Sequence, residues 1–153
     1  MDKWQSAYMD VAERFASLST ARKLKVGAIV VKDNRVLSIG YNGMPSGWDN
    51  NCEYEIKPDW MRHDATDEDI HLGVVQLKTK PQVIHAEMNC LAKLGGSNES
   101  GKDATLYITH APCIECAKMI YGSGIKEVFY KSEYRCTLGI EFLKECRIGV
   151  TKL

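Results

Sequence analysis

What this chain lacks narrows it first. No apolar run approaches the ~18–20 residues that cross a bilayer as a helix, so no membrane span is expected. Neither sign of charge is in excess, since Lys+Arg and Asp+Glu each total 20 in 153 residues. A general nucleic-acid binder needs a basic surplus to neutralise phosphates, and none is present. Met1-Asp2-Lys3-Trp4-Gln5-Ser6 has no basic-then-apolar build of a secretory leader. A soluble, cytoplasmic protein is expected. In a reducing compartment the six cysteines are metal ligands and free thiols rather than disulfides, and their even number decides nothing. Internal repeats, low-complexity tracts and interdomain linkers are all missing. The length is that of one domain over residues 1–153.

Trp4, Tyr8, Val11, Phe15 and Leu18 recur at three- and four-residue steps, which predicts an amphipathic helix capped by Asp2. Val26–Val31 and Val36–Tyr41 are β-branched, apolar runs joined across Asp33-Asn34, which predicts an antiparallel hairpin. Residues 42–47 read as a loop. Residues 48–82 are the least regular part, with an acidic run at Asp64–Asp69 and no core-facing stripe. They are expected to form a solvent-exposed insertion. Helices follow over His85–Leu94, Pro112–Tyr121 and Thr137–Cys146, with strands at Thr105–Thr109, Val128–Tyr130 and Ile148–Val150. Helices alternating with strands after a hairpin predict a three-layer α/β/α sandwich around a mixed sheet.

Pro112-Cys113-Ile114-Glu115-Cys116 sets two sulfurs three residues apart at a helix start. Positions three apart share a helix face, and the helix N-terminus favours thiolate. Alone, the pair fits a redox dithiol, half of a structural zinc site or part of a catalytic one. His85-Ala86-Glu87 changes the weighting. No second Cys pair exists to close a structural site, so the chain offers one His and two Cys, with a fourth position open as in catalytic zinc. Glu87 is poorly placed to chelate with His85 but can flank the open corner as a general base. His-x-Glu upstream of Pro-Cys-x-x-Cys is the signature of zinc deaminases acting on bases. Zinc would lower the pKa of its water to about 7. Glu87 would carry protons between that water, the ring nitrogen and the departing amine. Backbone at Ala86 and near Thr109-His110 is placed to align the ring.

At this point the chain resembles the deoxycytidylate deaminases of the cytidine-deaminase-like family. The resemblance rests on Lys25–Val31, Gly40-Tyr41-Asn42-Gly43-Met44-Pro45-Ser46-Gly47, Ile84–Asn89 and Ala111–Lys118, in the family's order. It implies a central five-stranded sheet and hydrolysis of dCMP to dUMP and ammonia, with Zn²⁺ on His85, Cys113 and Cys116. Asn42 resembles the residue contacting the sugar, and Asn89 one lining the nucleotide pocket. Arg22 and Lys25 are similar to basic positions near the phosphate, and Tyr134 to a tyrosine closing over the nucleotide. Relatives are often homohexamers activated by dCTP and inhibited by dTTP with Mg²⁺, and Asn42–Gly47 resembles their regulatory segment. Some carry a second, structural zinc. Cys52, His63 and His71 are the residues available for one here, although Ser19–Arg22 lacks the cysteine such relatives have. The rival readings are a tRNA adenosine, cytidine or guanine deaminase, or a non-catalytic zinc-stabilised interaction module.

Overall fold

The computed structural model describes residues 2–153. Its first helix, α1 (Lys3–Ala16), starts where Asp2 accepts hydrogen bonds from the Trp4 and Gln5 amides at 2.8 and 2.9 Å. Such a cap contributes about 1 kcal/mol. Strands β1 (Gly27–Lys32) and β2 (Arg35–Tyr41) form the expected hairpin. Asp33 and Asn34 both take positive φ, 51° and 57°, as a two-residue turn matched to strand twist requires.

Next come β3 (Glu53–Ile56), the short α2 (Asp67–His71) and β4 (Gln76–Thr79), then α3 (Ala86–Gly95) and β5 (Thr105–His110). The chain ends with α4 (Ile114–Gly122), β6 (Glu127–Ser132), α5 (Leu138–Glu145) and β7 (Gly149–Lys152). The main sheet has the order β2-β1-β5-β6-β7. Its β2-β1-β5 half is antiparallel and β5-β6-β7 parallel, so the sheet is mixed and five-stranded as expected. No helix among the described residues is long and apolar enough to cross a membrane.

Successive side chains of a strand point to opposite faces, and here each face has its own core. Ile29, Val31, Tyr107 and Phe129 pack against Met9 and Ala12 of α1. Ala28, Val30, Leu106, Ile108, Val128 and Tyr130 face the other way, onto residues of α3, α4 and α5. That gives three layers, one helix on one side and three on the other.

Two glycines set how closely the helices approach. A Cβ on Gly40 of β2 would lie 2.4 Å from the Ala86 carbonyl oxygen, and one on Gly139 of α5 2.1 Å from that of Pro112. Both contacts press directly behind the first turns of α3 and α4, the two elements that carry the motifs.

The stretch 48–82 departs from the expected exposed insertion. β3 and β4 pair as a separate antiparallel ribbon, and Cys52, Glu53, Met61 and Val75 are buried. The ribbon alternates too briefly to show a period in sequence. Cys52 packs with Ala21 and Val83, Met44 lying against them, which ties the segment to the molecule's body.

Candidate active site

His85 and Cys113 are the residues that open two helices. His85 is the N-cap of α3, and Cys113 is the N-cap of α4, its sulfur accepting from the Cys116 amide at 3.5 Å. Cys116 follows one turn into α4. The His85 Nδ1 atom stands 3.7 Å from the Cys113 sulfur and 3.4 Å from that of Cys116. Zn–S and Zn–N bonds of ~2.3 and ~2.0–2.1 Å at tetrahedral angles put such donors about 3.6 Å apart. The three groups therefore fit one zinc ion with a fourth corner left over. Among the described residues this is the one cluster of His, Cys, Asp or Glu whose ligand atoms all lie within 4.8 Å of each other.

The electrostatics suit metal binding. A hydrogen bond from Cys116 and another from His85 pull the Cys113 thiol down to about 4. The Cys116 thiol is pushed up, because it donates to Cys113 and is buried. The Cys113 hydrogen bond raises His85 against the opposing effect of burial. A divalent cation would bind the thiolate and displace the proton shared by the three groups.

Glu87, on the first turn of α3, is only 4% exposed. Burial is the main cause that pushes its carboxyl up to about 7, while the charge of His85 pulls the other way. The group is held where both protonation states are accessible near neutrality.

These residues open into a cavity of about 450 Å³, a size typical of small-ligand sites. It lies beyond the carboxyl ends of the parallel strands β5 and β6, where open α/β sheets bind ligands. Of the residues singled out in the sequence, His85, Ala86, Glu87, His110, Cys113, Asn42 and Tyr134 line it. Burial holds the His110 ring below its ordinary pKa.

Other expected contacts do not reach the cavity. Arg22 points its guanidinium at Glu55 (2.9 Å) and lies 3.7 Å from Glu53. Lys25 is exposed and outside the lining. The lining cations are instead Lys23, one residue along the same turn, and Arg135, whose guanidinium lies 5.8 Å from the Tyr134 ring centroid. Asn89 spends its amide on the Tyr41 carbonyl at 2.9 Å, and Thr109 accepts from the Gly27 amide at 3.2 Å. Both are structural ties of the sheet. Asn42 clamps the preceding turn, accepting from the Val26 amide (2.9 Å) and donating to the Leu24 carbonyl (2.7 Å). Cys52, His63 and His71 form no donor cluster: Cys52 is buried beside Thr20, and His63 is exposed against Asp69 at 3.2 Å. Glu53 lines the cavity although nothing in the sequence pointed to it.

A mixed five-stranded sheet between helix layers, with His and two Cys at converging helix tips and an acid beside them, defines the zinc-dependent deaminases of bases and nucleotides. A family profile, described as the cytidine and deoxycytidylate deaminase zinc-binding region, matches residues 2–132. The chain belongs to that family. It is 30% identical over 150 residues to the deoxycytidylate deaminase of Enterobacteria phage T4, covering 84% of this chain and 78% of that one. With the Homo sapiens deoxycytidylate deaminase it shares 37% identity over 133 residues, covering 86% of this chain and 66% of the human protein's length. The crystal structure of the cyanophage S-TIM5 dCMP deaminase in complex with dCMP and dUMP superposes with a TM-score of 0.81. The two chains are 38% identical, over 100% of this chain and 99% of that one.

Proposed function

We propose that this chain hydrolyses dCMP to dUMP and ammonia, with Zn²⁺ held by His85, Cys113 and Cys116 and with Glu87 moving the protons. The observation that carries the reading is the donor triangle, with edges of 3.4 and 3.7 Å from His85 to the two sulfurs, beside a buried acid held near neutrality. Bound zinc supplies a Lewis acid that brings the pKa of a coordinated water to about 7. Glu87 takes the proton of the attacking water and delivers it to N3 of the cytosine ring, which makes C4 electrophilic. The water oxygen bonds to C4, and Glu87 then takes the remaining proton of that oxygen and passes it to the amine as the C4–N4 bond breaks and the C4 carbonyl forms. Ala86, His110 and Tyr134 line the same cavity and border the nucleotide.

The likeness to the phage enzymes favours a nucleoside monophosphate over a free nucleoside, and so do the two cations at the cavity wall. The phosphate is assigned to Lys23 and Arg135 rather than to Arg22 and Lys25, because the first two line the cavity and a dianion attracts paired cationic donors. Hydrogen bonds to a charged group are worth about 1.5–3 kcal/mol, or roughly 10–100-fold in binding. Lys23→Gln and Arg135→Gln should each raise KM for dCMP by about that factor, and should leave the slow turnover of deoxycytidine unchanged. Ammonia release measured across dCMP, deoxycytidine, cytidine, adenosine and guanine tests the whole reading. It fails if dCMP is not the preferred substrate.

A specific contact also favours regulation through the Asn42–Gly47 loop. Gly43 and Ile84 exchange both backbone hydrogen bonds, at 3.1 and 2.8 Å, and Ile84 directly precedes His85. A ligand that shifts the loop therefore shifts a metal donor. On this reading dCTP activates and dTTP with Mg²⁺ inhibits, acting on a homohexamer. Saturation curves for dCMP should become steeper or shallower with each triphosphate, in samples whose native mass is six chains. Curves that neither triphosphate alters would end this reading.

A further inference from the structure

Glu53 opens β3 inside the segment that looked featureless in sequence, and its side chain is only 1% exposed. One carboxylate oxygen, Oε1, accepts from the Arg22 and Lys23 amides at 2.8 and 3.1 Å. The other, Oε2, has no hydrogen-bond partner, and no other buried side-chain nitrogen or oxygen among the described residues is left that way. The Arg22 guanidinium does not satisfy it: Nε is 3.7 Å away, beyond hydrogen-bond range, and Nη1 is engaged by Glu55. A buried carboxylate oxygen without a donor is costly, and such groups in native proteins call for an explanation. Glu53 forms part of the wall of the same cavity as Glu87.

From this we infer that Glu53 is the residue that reads the 3′-hydroxyl of the nucleotide's sugar, an inference that rests on the dCMP reading above. A carboxylate only accepts, so its partner is a donor, and its charge repels phosphate. A 2′-deoxycytidine monophosphate carries two kinds of donor outside the phosphate, the exocyclic amine and the 3′-hydroxyl. The amine is the leaving group and belongs beside Glu87, which leaves the hydroxyl. Position agrees with this. Glu53 holds the Lys23 amide, so acceptor and cation are neighbours, as 3′-hydroxyl and 5′-phosphate are neighbours on one furanose. The cavity's third acid, Glu133, is set apart by exposure. Its Oε1 accepts from Lys152 at 3.2 Å and from the Tyr130 hydroxyl at 3.4 Å, and its side chain is 57% exposed, so water can serve the other oxygen, unlike the buried Oε2 of Glu53.

The test compares kcat/KM for dCMP and for 2′,3′-dideoxycytidine 5′-monophosphate, using the zinc-loaded wild type and Glu53→Gln. The amide keeps one oxygen for the Arg22 and Lys23 amides and replaces the free acceptor by a donor. The wild type should prefer dCMP by about tenfold or more, the worth of one hydrogen bond to a charged group. Glu53→Gln should lose that preference, falling on dCMP and staying level on the dideoxy substrate. Equal use of the two substrates by the wild type overturns the contact while leaving the deaminase reading intact. An equal fall on both substrates in the variant reduces Glu53 to a structural clamp and also overturns it. If dCMP is not turned over at all, both readings fall together. Should the variant not fold, the wild-type comparison still decides.

Discussion

Glu87→Gln is expected to lower kcat for ammonia release from dCMP by about 10²–10⁴-fold, the range for a positioned proton carrier, while the zinc content stays at one ion per chain. That is a barrier increase of about 3–5 kcal/mol. The amide has nearly the same shape and sits in the same buried place on α3, so neither the His85 cap nor the α4 tip has cause to move. What it cannot do is pick up a proton and hand it on. Stability should move in the opposite direction from activity, and the sign can be worked out. Burial holds the Glu87 carboxyl at about 7 rather than its ordinary 4.5. Between those values the folded chain keeps a proton that the unfolded chain has released, so the acid's contribution to stability declines as pH rises through that window and stays low above it. A glutamine does not titrate. With zinc removed by a chelator, the variant's Tm should therefore gain on the wild type's as pH goes from about 5 to about 8. Near-normal turnover by Glu87→Gln would mean that some other group moves the protons.

How much of this was readable in advance depends on how local the determinants are. The metal donors were legible because each lies in a short contiguous motif at a helix start, where spacing and capping fix geometry within a turn. The hairpin was legible for the same reason, since Asp33-Asn34 tolerates two positive φ values in succession. The cations that line the cavity, Lys23 and Arg135, are not the expected Arg22 and Lys25. Arg22, Lys23 and Lys25 are all exposed on one turn, and which of them faces the cavity is decided by Glu53 and Glu55, some 30 residues away. Arg135 follows β6 and reaches the site only because parallel pairing sets the end of β6 beside that of β5. Glu53 gave no signal at all, since its burial comes from packing of the 48–82 segment against Ala21 and Val83. Asn42 and Asn89 both stand next to the site in sequence and both tie backbone together through their amides, but of the two only Asn42 also lines the cavity.

Cys116→Ser should remove the metal, and with it both turnover and a measurable share of stability. Of the two sulfurs, Cys116 is the cleaner to remove. Cys113 also caps α4 by accepting the Cys116 amide, so its loss would fray the helix for a reason unrelated to zinc. The Cys116 sulfur is fully buried and does no capping. A serine hydroxyl is harder than a thiolate, stays protonated near pH 7 and falls short of the ion. His85 and Cys113 alone leave only two donors, too few for the three-ligand site of a catalytic zinc. An ion bound at 1,000 times its dissociation constant stabilises the folded chain by about 4 kcal/mol. In a chain of this size that corresponds to a Tm loss on the order of 10 °C. The control is internal: a chelator should lower the wild-type Tm to the level of Cys116→Ser and leave the variant where it was. A variant that retained one zinc and the wild-type Tm would show that the ion is held elsewhere. The opposed outcomes for residues 87 and 116, metal kept with turnover lost against metal and stability lost together, separate holding the ion from moving the protons.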